Sequence, residues 1–198
     1  VKRFDQPNKG FGFARQCGLE NAKGKYYIGA DSDTIYPNGY VNKIIEAFEK
    51  NSSVVGVSVM HKIMAITFKE KLYYLFYDFF RNIYNRITSI KRPELVVRGF
   101  AFSHLTSLGR EIGYRTDIRR GSDGAMAVSL KNYGKIKFLR KRRISPLSQS
   151  TLVGQDSMFS KLFNKIFFEF KRLKMYFTKR EDYKDEDSNL MNNKKEGK

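Results

Sequence analysis

The stretch GKYYIGADSDTIYP, at residues 24–37, constrains the fold more than any other part of the chain. Its apolar residues 26–30 lead directly into Asp31 and Asp33, and Pro37 closes the segment. Such a run predicts a buried strand that presents two carboxylates at the carboxyl edge of an α/β sheet, where ligands of such sheets bind. Two carboxylates there suit a hard divalent cation, which completes its coordination shell with substrate phosphates. The alternative is a strand followed by an ordinary Asx turn.

Helical and strand patterns alternate along the chain, which predicts an α/β protein with a mostly parallel sheet. Apolar residues at helical spacing and glycine stops predict the helices, and short apolar runs predict the strands. The predicted helices lie at 13–22, 39–50 and 66–90, in a segment ending near 110, and at 125–133, and the predicted strands lie at 26–30, 54–60, 95–98 and 135–139.

The longest helical pattern, at residues 66–90, carries an apolar stripe with tyrosines beside it. This stripe is predicted to be mostly core, whereas the tyrosines have a second interpretation as the lining of an acceptor groove. The stripe consists of Phe68, Leu72, Leu75, Phe76, Phe79, Ile83 and Ile87, and the tyrosines are Tyr73, Tyr74, Tyr77 and Tyr84.

A second amphipathic helix is predicted at residues 156–177, where lysines and arginines flank a wide apolar face. Two interpretations stand for it. The helix lies in an anionic membrane surface with its apolar face down, or it packs back on the domain. No run of apolar residues is long enough to predict a spanning helix.

The charge of the chain limits its partners. Lys and Arg number 38 and Asp and Glu number 20, so the formal net charge is +18. A charge of this size implies an anionic partner, which is nucleic acid, an anionic bilayer or a phosphorylated substrate. Nucleic acid is disfavoured, because most aromatic residues lie at helical core spacing rather than between basic residues on one stripe. The single Cys17 excludes an intrachain disulfide, which favours a reducing compartment.

Taken together, residues 10–48 resemble the central signature of the family-2 glycosyltransferases, the inverting nucleotide-sugar enzymes of GT-A fold. That signature reads G-x-G-x-A-R-N-x-G, then A-x-G-x-Y, then a short strand that ends in D-x-D, then a proline. Gln16 stands where Asn is usual. The matching positions are Gly10, Gly12, Ala14, Arg15, Gly18, Ala22, Gly24, Tyr27, Asp31, Asp33 and Pro37.

The resemblance implies a GT-A-type, mostly parallel sheet flanked by helices and a transfer reaction with inversion. It also implies that Asp33 and Asp31 hold Mn²⁺ or Mg²⁺ against the diphosphate of a nucleotide-sugar donor. Asp31 has a second reading as a contact to the ribose or sugar. Arg15 either steadies the donor phosphates or pairs with a carboxylate.

Further along the chain, Asp123 falls on the acidic position that the family places at a helix start and uses as the catalytic base. Ser122 stands beside it where the family often has Glu. The alternative for Asp123 is an N-cap of the predicted helix, because Asp is a favoured N-cap residue.

The resemblance also implies an amino-terminally truncated domain, because family members begin with strands and helices that bind the base and ribose. Residues 1–145 are then the carboxyl-terminal portion of a family-2 domain, 146–178 a basic amphipathic helical extension, and 179–198 a disordered tail. A non-catalytic, membrane-associated fragment of a glycosyltransferase is the alternative.

The expected acceptor is a glycan or a lipid-linked molecule in surface polysaccharide or glycolipid assembly. The expected location is the cytoplasm, and peripheral attachment to the inner face of the cell membrane is the more specific alternative. Four arginines suit the phosphate of such an acceptor, and a solvated basic face is an equally good interpretation of them. These candidate acceptor contacts are Arg119, Arg120, Arg142 and Arg143.

Overall fold

The structure of the protein is a computed structural model that describes residues 2–5, 10–65, 67–118 and 121–148. The helices are α1 (Phe11–Asn21), α2 (Tyr40–Glu49), α3 (Phe68–Lys91), α4 (Thr106–Ile112) and α5 (Ser122–Leu130). The strands are β1 (Tyr26–Ile28), β2 (Thr34–Ile35), β3 (Val54–Val59), β4 (Lys62–Ile63), β5 (Phe102–Leu105), β6 (Lys135–Leu139) and β7 (Leu147–Ser148), and short 3-10 turns cover Pro93–Leu95, Gly99–Ala101 and Arg142–Ile144.

The main sheet has the order β1-β5-β3-β6. β5 pairs antiparallel with both β1 and β3, and β3 pairs parallel with β6. Three of the four strands therefore point the same way and β5 alone is reversed. Because of this reversal, the start of β5 lies at the same edge of the sheet as the carboxyl end of β1. A smaller sheet of order β2-β7-β4 follows the same edge.

The core lies on both faces of β3, whose six residues are all buried. On one face, Val57 packs with Ile44 and Phe48 of α2. On the other, Val55 packs with Met126 of α5 and with a residue of α1, Leu19. This two-faced burial explains why the sequence of β3 is a continuous apolar run rather than an alternating one. The predicted α/β class with helices on both faces of the sheet is confirmed.

The strand predicted at 95–98 is wrong. The chain makes a 3-10 turn at Pro93–Leu95, in which the N–H of Val96 donates to the carbonyl of Pro93 at 3.0 Å. Leu95 is buried without joining a sheet, and the strand begins seven residues later, at Phe102. An apolar run after a proline is buried in this case by a turn, which periodicity alone does not distinguish from a strand.

The prediction that the α3 stripe is core is also wrong. All seven stripe residues are exposed, by 46–80%, while Tyr73 and Tyr74 are buried. Arg81 lies on the buried face, where its guanidinium donates to the carbonyl of His61 at 2.7 Å and pairs with Asp78 at 2.6 Å. The face that carries Arg81 therefore packs against the protein, and the apolar face points outward.

In the part of the chain that the structure describes, no helix combines the length and the apolar character needed to cross a membrane. The predicted extension at 146–178 and the predicted tail at 179–198 lie almost wholly outside the described residues, which end at 148.

Candidate functional site

The acidic turn follows β1 directly. β1 ends at Ile28, and the chain then turns so that the N–H of Thr34 donates to the carbonyl of Asp31 at 3.4 Å. Asp31 and Asp33 are both exposed in this turn. The structure thus places the two carboxylates beyond the carboxyl end of a central-sheet strand, open to solvent.

Tyr36 holds the acidic turn against the start of β5. Its hydroxyl accepts the N–H of Asp31 at 2.9 Å and donates to the carbonyl of Phe100 at 2.9 Å. Burial raises the pKa of the Tyr36 phenol, so the group stays protonated and keeps both hydrogen bonds. Sequence reasoning missed Tyr36, although a tyrosine immediately before the proline of the acidic motif was a visible signal.

Arg15 connects the acidic turn with α5. Its Nε lies 2.9 Å from Oδ1 of Asp123, and its Nη2 lies 3.8 Å from Oδ1 of Asp31. The side chains of Arg15 and Asp123 are only 14% and 17% exposed. The contact between them is an ion pair without an aligned hydrogen bond. Three candidates that are distant in sequence therefore meet at one edge of the sheet.

Asp123 lies in the first turn of α5, and Gly121 occupies the N-cap position with φ of 85°. The alternative reading of Asp123 as the N-cap is therefore wrong, since its side chain turns to Arg15 instead. Burial raises the pKa of Asp123, and the nearby Arg15 guanidinium opposes that shift. The negative charge of Asp31 adds to the rise.

Two glycines make this convergence possible. A Cβ on Gly99 would lie 1.9 Å from Nη2 of Arg15 and 2.4 Å from Oδ2 of Asp123. A Cβ on Gly29 would lie 2.4 Å from the carbonyl oxygen of Gly99. Both positions need the absence of a side chain, because backbone and ion pair fill the space. Sequence reasoning did not assign these glycines a role.

A buried aromatic cluster supports the helix that carries Arg15. Tyr27 donates to the carbonyl of Arg15 at 3.3 Å, and its ring stacks on His104 at 5.0 Å between centroids. His104 Nε2 lies 3.1 Å from the hydroxyl of Tyr114, whose backbone N–H donates to the side-chain oxygen of Gln16 at 2.7 Å. Gln16, the departure from the family pattern, thus has a structural partner.

The acidic turn adjoins a cavity of about 390 Å³, lined mainly by apolar residues of β1 and of the segment that leads into α2. Ile28, Ala30, Tyr36, Pro37 and Tyr40 contribute to its wall. Ala30, the residue before Asp31, is among the lining residues, so the cavity reaches the beginning of the acidic turn.

Among the described residues, no group of three or more His, Cys, Asp and Glu side chains converges to enclose a metal ion. Asp31 and Asp33 instead offer exposed carboxylate oxygens from one turn. That donor set fits Mg²⁺ or Mn²⁺ in the manner in which such ions bind nucleotides, through one or two carboxylates plus phosphate oxygens.

Two of the predicted acceptor arginines, Arg142 and Arg143, do not join this cluster. Arg142 and Arg143 are exposed on the 3-10 turn after β6, and no ion pair links either of them to Asp31, Asp33 or Asp123. Arg119 and Arg120 lie outside the described residues.

The mixed sheet with helices on both faces and an acidic turn after its strand β1 defines an α/β domain of GT-A type. Solved structures with this fold include S. aureus TarS 1-349, at a TM-score of 0.52 and 13% identity over 87% of this chain and 56% of that chain. Another is S. aureus TarS, at a TM-score of 0.50 and 14% identity over 84% of this chain and 28% of that chain.

The profile of Glycosyl transferase family 2 matches residues 1–104, more than half of the chain, and the chain belongs to this family. Among curated proteins, none matches the chain. The chain spans between 28% and 56% of the length of the two solved chains.

Proposed function

We propose that the chain forms part of a glycosyltransferase that moves a sugar, with inversion, from a nucleotide-diphosphate sugar to a glycan or lipid-linked acceptor. The observation that carries this proposal is the position of Arg15 between Asp31 and Asp123, at 3.8 Å and 2.9 Å. Transfer needs a charged site for the leaving diphosphate beside a group that removes the proton of the acceptor hydroxyl. Asp31 and Asp123 would supply these two groups, and both lie within the reach of one guanidinium.

Asp33 and Asp31 would hold Mn²⁺ or Mg²⁺, which supplies positive charge to a leaving diphosphate when it is bound. Their exposure supports this role, because a donor must reach both carboxylates from solvent. The guanidinium of Arg15 places a second cation beside Asp31. It would orient the phosphate oxygens by charge-assisted hydrogen bonds.

Asp123 would act as the general base that takes the proton from the acceptor hydroxyl. Its support is electrostatic and geometric. Burial raises the pKa of this carboxyl, which makes its ionised form a better proton acceptor, and the Arg15 guanidinium keeps that form accessible. Inversion at the sugar carbon follows from a single displacement by the acceptor oxygen.

The exposed Arg142 and Arg143, with Arg119 and Arg120, would contact the phosphate of a lipid-linked acceptor. A location in the cytoplasm at the inner face of the cell membrane fits such an acceptor. The net charge of +18 supports a partnership with phosphates or an anionic bilayer.

Thermal unfolding of the full chain with Mn²⁺ and a panel of UDP- and GDP-sugars tests the proposal. A donor at a hundredfold its dissociation constant should stabilise the protein by about 2.7 kcal/mol, which raises the midpoint by about 5 to 10 °C. The shift should require the metal. Asp33→Asn should abolish it, because the substitution removes a carboxylate from the proposed cation site.

Asp5→Asn is the matched control, since Asp5 is also exposed, at 78%, and pairs with Arg3. It should leave the shift unchanged. No metal-dependent shift with any donor would contradict the proposal and favour a non-catalytic fragment.

A further inference from the structure

Nine of the fifteen large apolar side chains that are exposed among the described residues lie on the outward face of α3. Every large apolar residue of this face is between 46% and 80% exposed. At about 100° per residue, the nine of them span an arc of about 140° along a helix about 36 Å long. They are Phe68, Leu72, Leu75, Phe76, Phe79, Phe80, Ile83, Ile87 and Ile90. Contiguous apolar patches of this size mark interaction surfaces.

The charges beside this face all have the same sign. The exposed charged residues of α3 are Lys69, Lys71, Arg86 and Lys91. Both acidic residues of the helix are engaged elsewhere. Glu70 accepts the N–H of Thr67 in the capping box, and Asp78 pairs with the buried Arg81. The apolar face of α3 thus has a purely cationic border.

A basic segment of the chain lies alongside. The guanidinium of Arg140 donates to the hydroxyl of Ser89 near the end of α3, at 2.8 Å. Burial and the neighbouring Arg86 guanidinium lower the pKa of Arg140, which indicates that positive charge is concentrated here. Arg142 and Arg143 follow on an exposed turn.

We propose that the apolar face of α3 (the α3 face) docks on an anionic lipid bilayer, with the helix in the interface plane and its cations at the headgroups. An apolar face bordered by lysine and arginine is the pattern of helices that lie in such an interface. The opposite side of α3 packs on the protein through Tyr73, Tyr74 and Arg81, so the domain would sit above the bilayer.

A second copy of this chain fits the α3 face less well. One helix face of these dimensions buries on the order of 400 Å² per copy, and a stable dimer interface buries about 1,200–2,000 Å² in total. Two α3 faces would also bring their cationic borders together. The segment at 156–177 would also bring positive charges together if it covered the α3 face, because Lys161, Lys165 and Lys171 flank its predicted apolar face.

The docked helix is linked to the candidate site by direct contacts. Arg81 of α3 holds His61, whose ring packs edge-on against Phe100 at 5.1 Å between centroids. The carbonyl of Phe100 accepts the hydroxyl of Tyr36, which binds the backbone of Asp31. If the proposed function holds, docking through α3 therefore connects the acidic turn, by this series of contacts, to the membrane that holds a lipid-linked acceptor.

Flotation of the full chain with vesicles made of equal parts phosphatidylcholine and phosphatidylglycerol tests the docking. The wild type should float, and Phe76→Glu with Phe79→Glu should lower the bound fraction about tenfold or more, because two charged groups would enter the interface. Phe4→Glu with Phe11→Glu is the matched control. It makes the same change at phenylalanines that are 49% and 65% exposed outside α3, and it should float like the wild type. The milder Phe76→Ser with Phe79→Ser serves if the glutamates disturb folding.

Three results would overturn the proposal. The wild type fails to float, or the α3 variant floats as well as the wild type. In the third, light scattering shows that the wild type is a dimer and the α3 variant a monomer, while both bind vesicles equally. Because flotation needs neither donor nor metal, its failure leaves the donor-induced thermal shift intact, and the reverse also holds.

Discussion

His104 makes the stability of the protein depend on pH in a defined window. The side chain is fully buried in β5. The carbonyl of Leu105, 3.0 Å from Nδ1, can only accept, so Nδ1 carries the proton and Nε2 accepts the hydroxyl of Tyr114 at 3.1 Å. Burial lowers the pKa of His104 from its ordinary 6.5 to about 4. The folded protein therefore holds this histidine neutral.

The direction of the pH effect follows from which state binds the proton. Below pH 6.5 the unfolded chain protonates His104, while the folded protein does not until about pH 4, so unfolding is favoured as the pH falls through this range. From about pH 7 to about pH 4.5, this histidine alone should lower the free energy of unfolding by about 2–3 kcal/mol. His104→Asn removes the titrating group and should remove that part of the loss.

Urea unfolding of the wild type and the variant at several pH values measures the difference. The comparison concerns the change with pH, so a constant loss of stability in the variant does not affect it. His61→Asn is the control, because His61 is the only other histidine and this variant retains His104. Equal pH dependence in the wild type and His104→Asn would refute the reasoning.

Three further predictions concern the candidate site. Asp123→Asn should lower the transfer rate about 10²–10⁴-fold while the donor-induced thermal shift persists, because a proton acceptor is lost but the donor contacts are kept. A normal transfer rate would contradict the assignment of Asp123 as the base. Gly99→Ala should cost about 1–3 kcal/mol in urea unfolding, since its Cβ collides with the Arg15 guanidinium. Gly24→Ala is the control and should be neutral, because its Cβ would lie 3.6 Å from the carbonyl oxygen of Tyr26, an ordinary van der Waals contact. Tyr36→Phe should cost about 1–3 kcal/mol, measured in the same way, because two hydrogen bonds lose their shared hydroxyl.

Much of the fold could be predicted from the sequence where burial is decided locally. β6 has the predicted bounds, and α2 and β3 each agree within one residue at either end. The apolar residues of α2 pack on one face of the sheet, and β3 is buried on both of its faces, so the apolar pattern of each segment reports its burial directly. The acidic turn after β1 was readable for the same reason, because an apolar run stops abruptly at charged residues.

Burial could not be predicted where it depends on distant partners. The polar face of α3 is buried where Arg81 donates to the carbonyl of His61, and a periodic pattern carries no information about such a partner. The contact between Arg15 and Asp123 joins two ends of the domain, and it depends on a third segment that contributes no side chain at Gly99. Sequence resemblance indicated the two charged residues, but not that they form a pair.

The pair formed by Arg15 and Asp123 is better explained by its effect on Asp123 than by stability. Desolvation of two charges offsets much of their attraction, and this contact has no aligned hydrogen bond to add to it. An isolated carboxyl at this depth would be driven toward its neutral form, which cannot accept a proton. The adjacent guanidinium counteracts that tendency, while burial and Asp31 still hold the pKa above its ordinary value. The balance yields a carboxylate that can exist in its charged form and yet binds a proton more readily than an exposed one, which is the property that a general base requires.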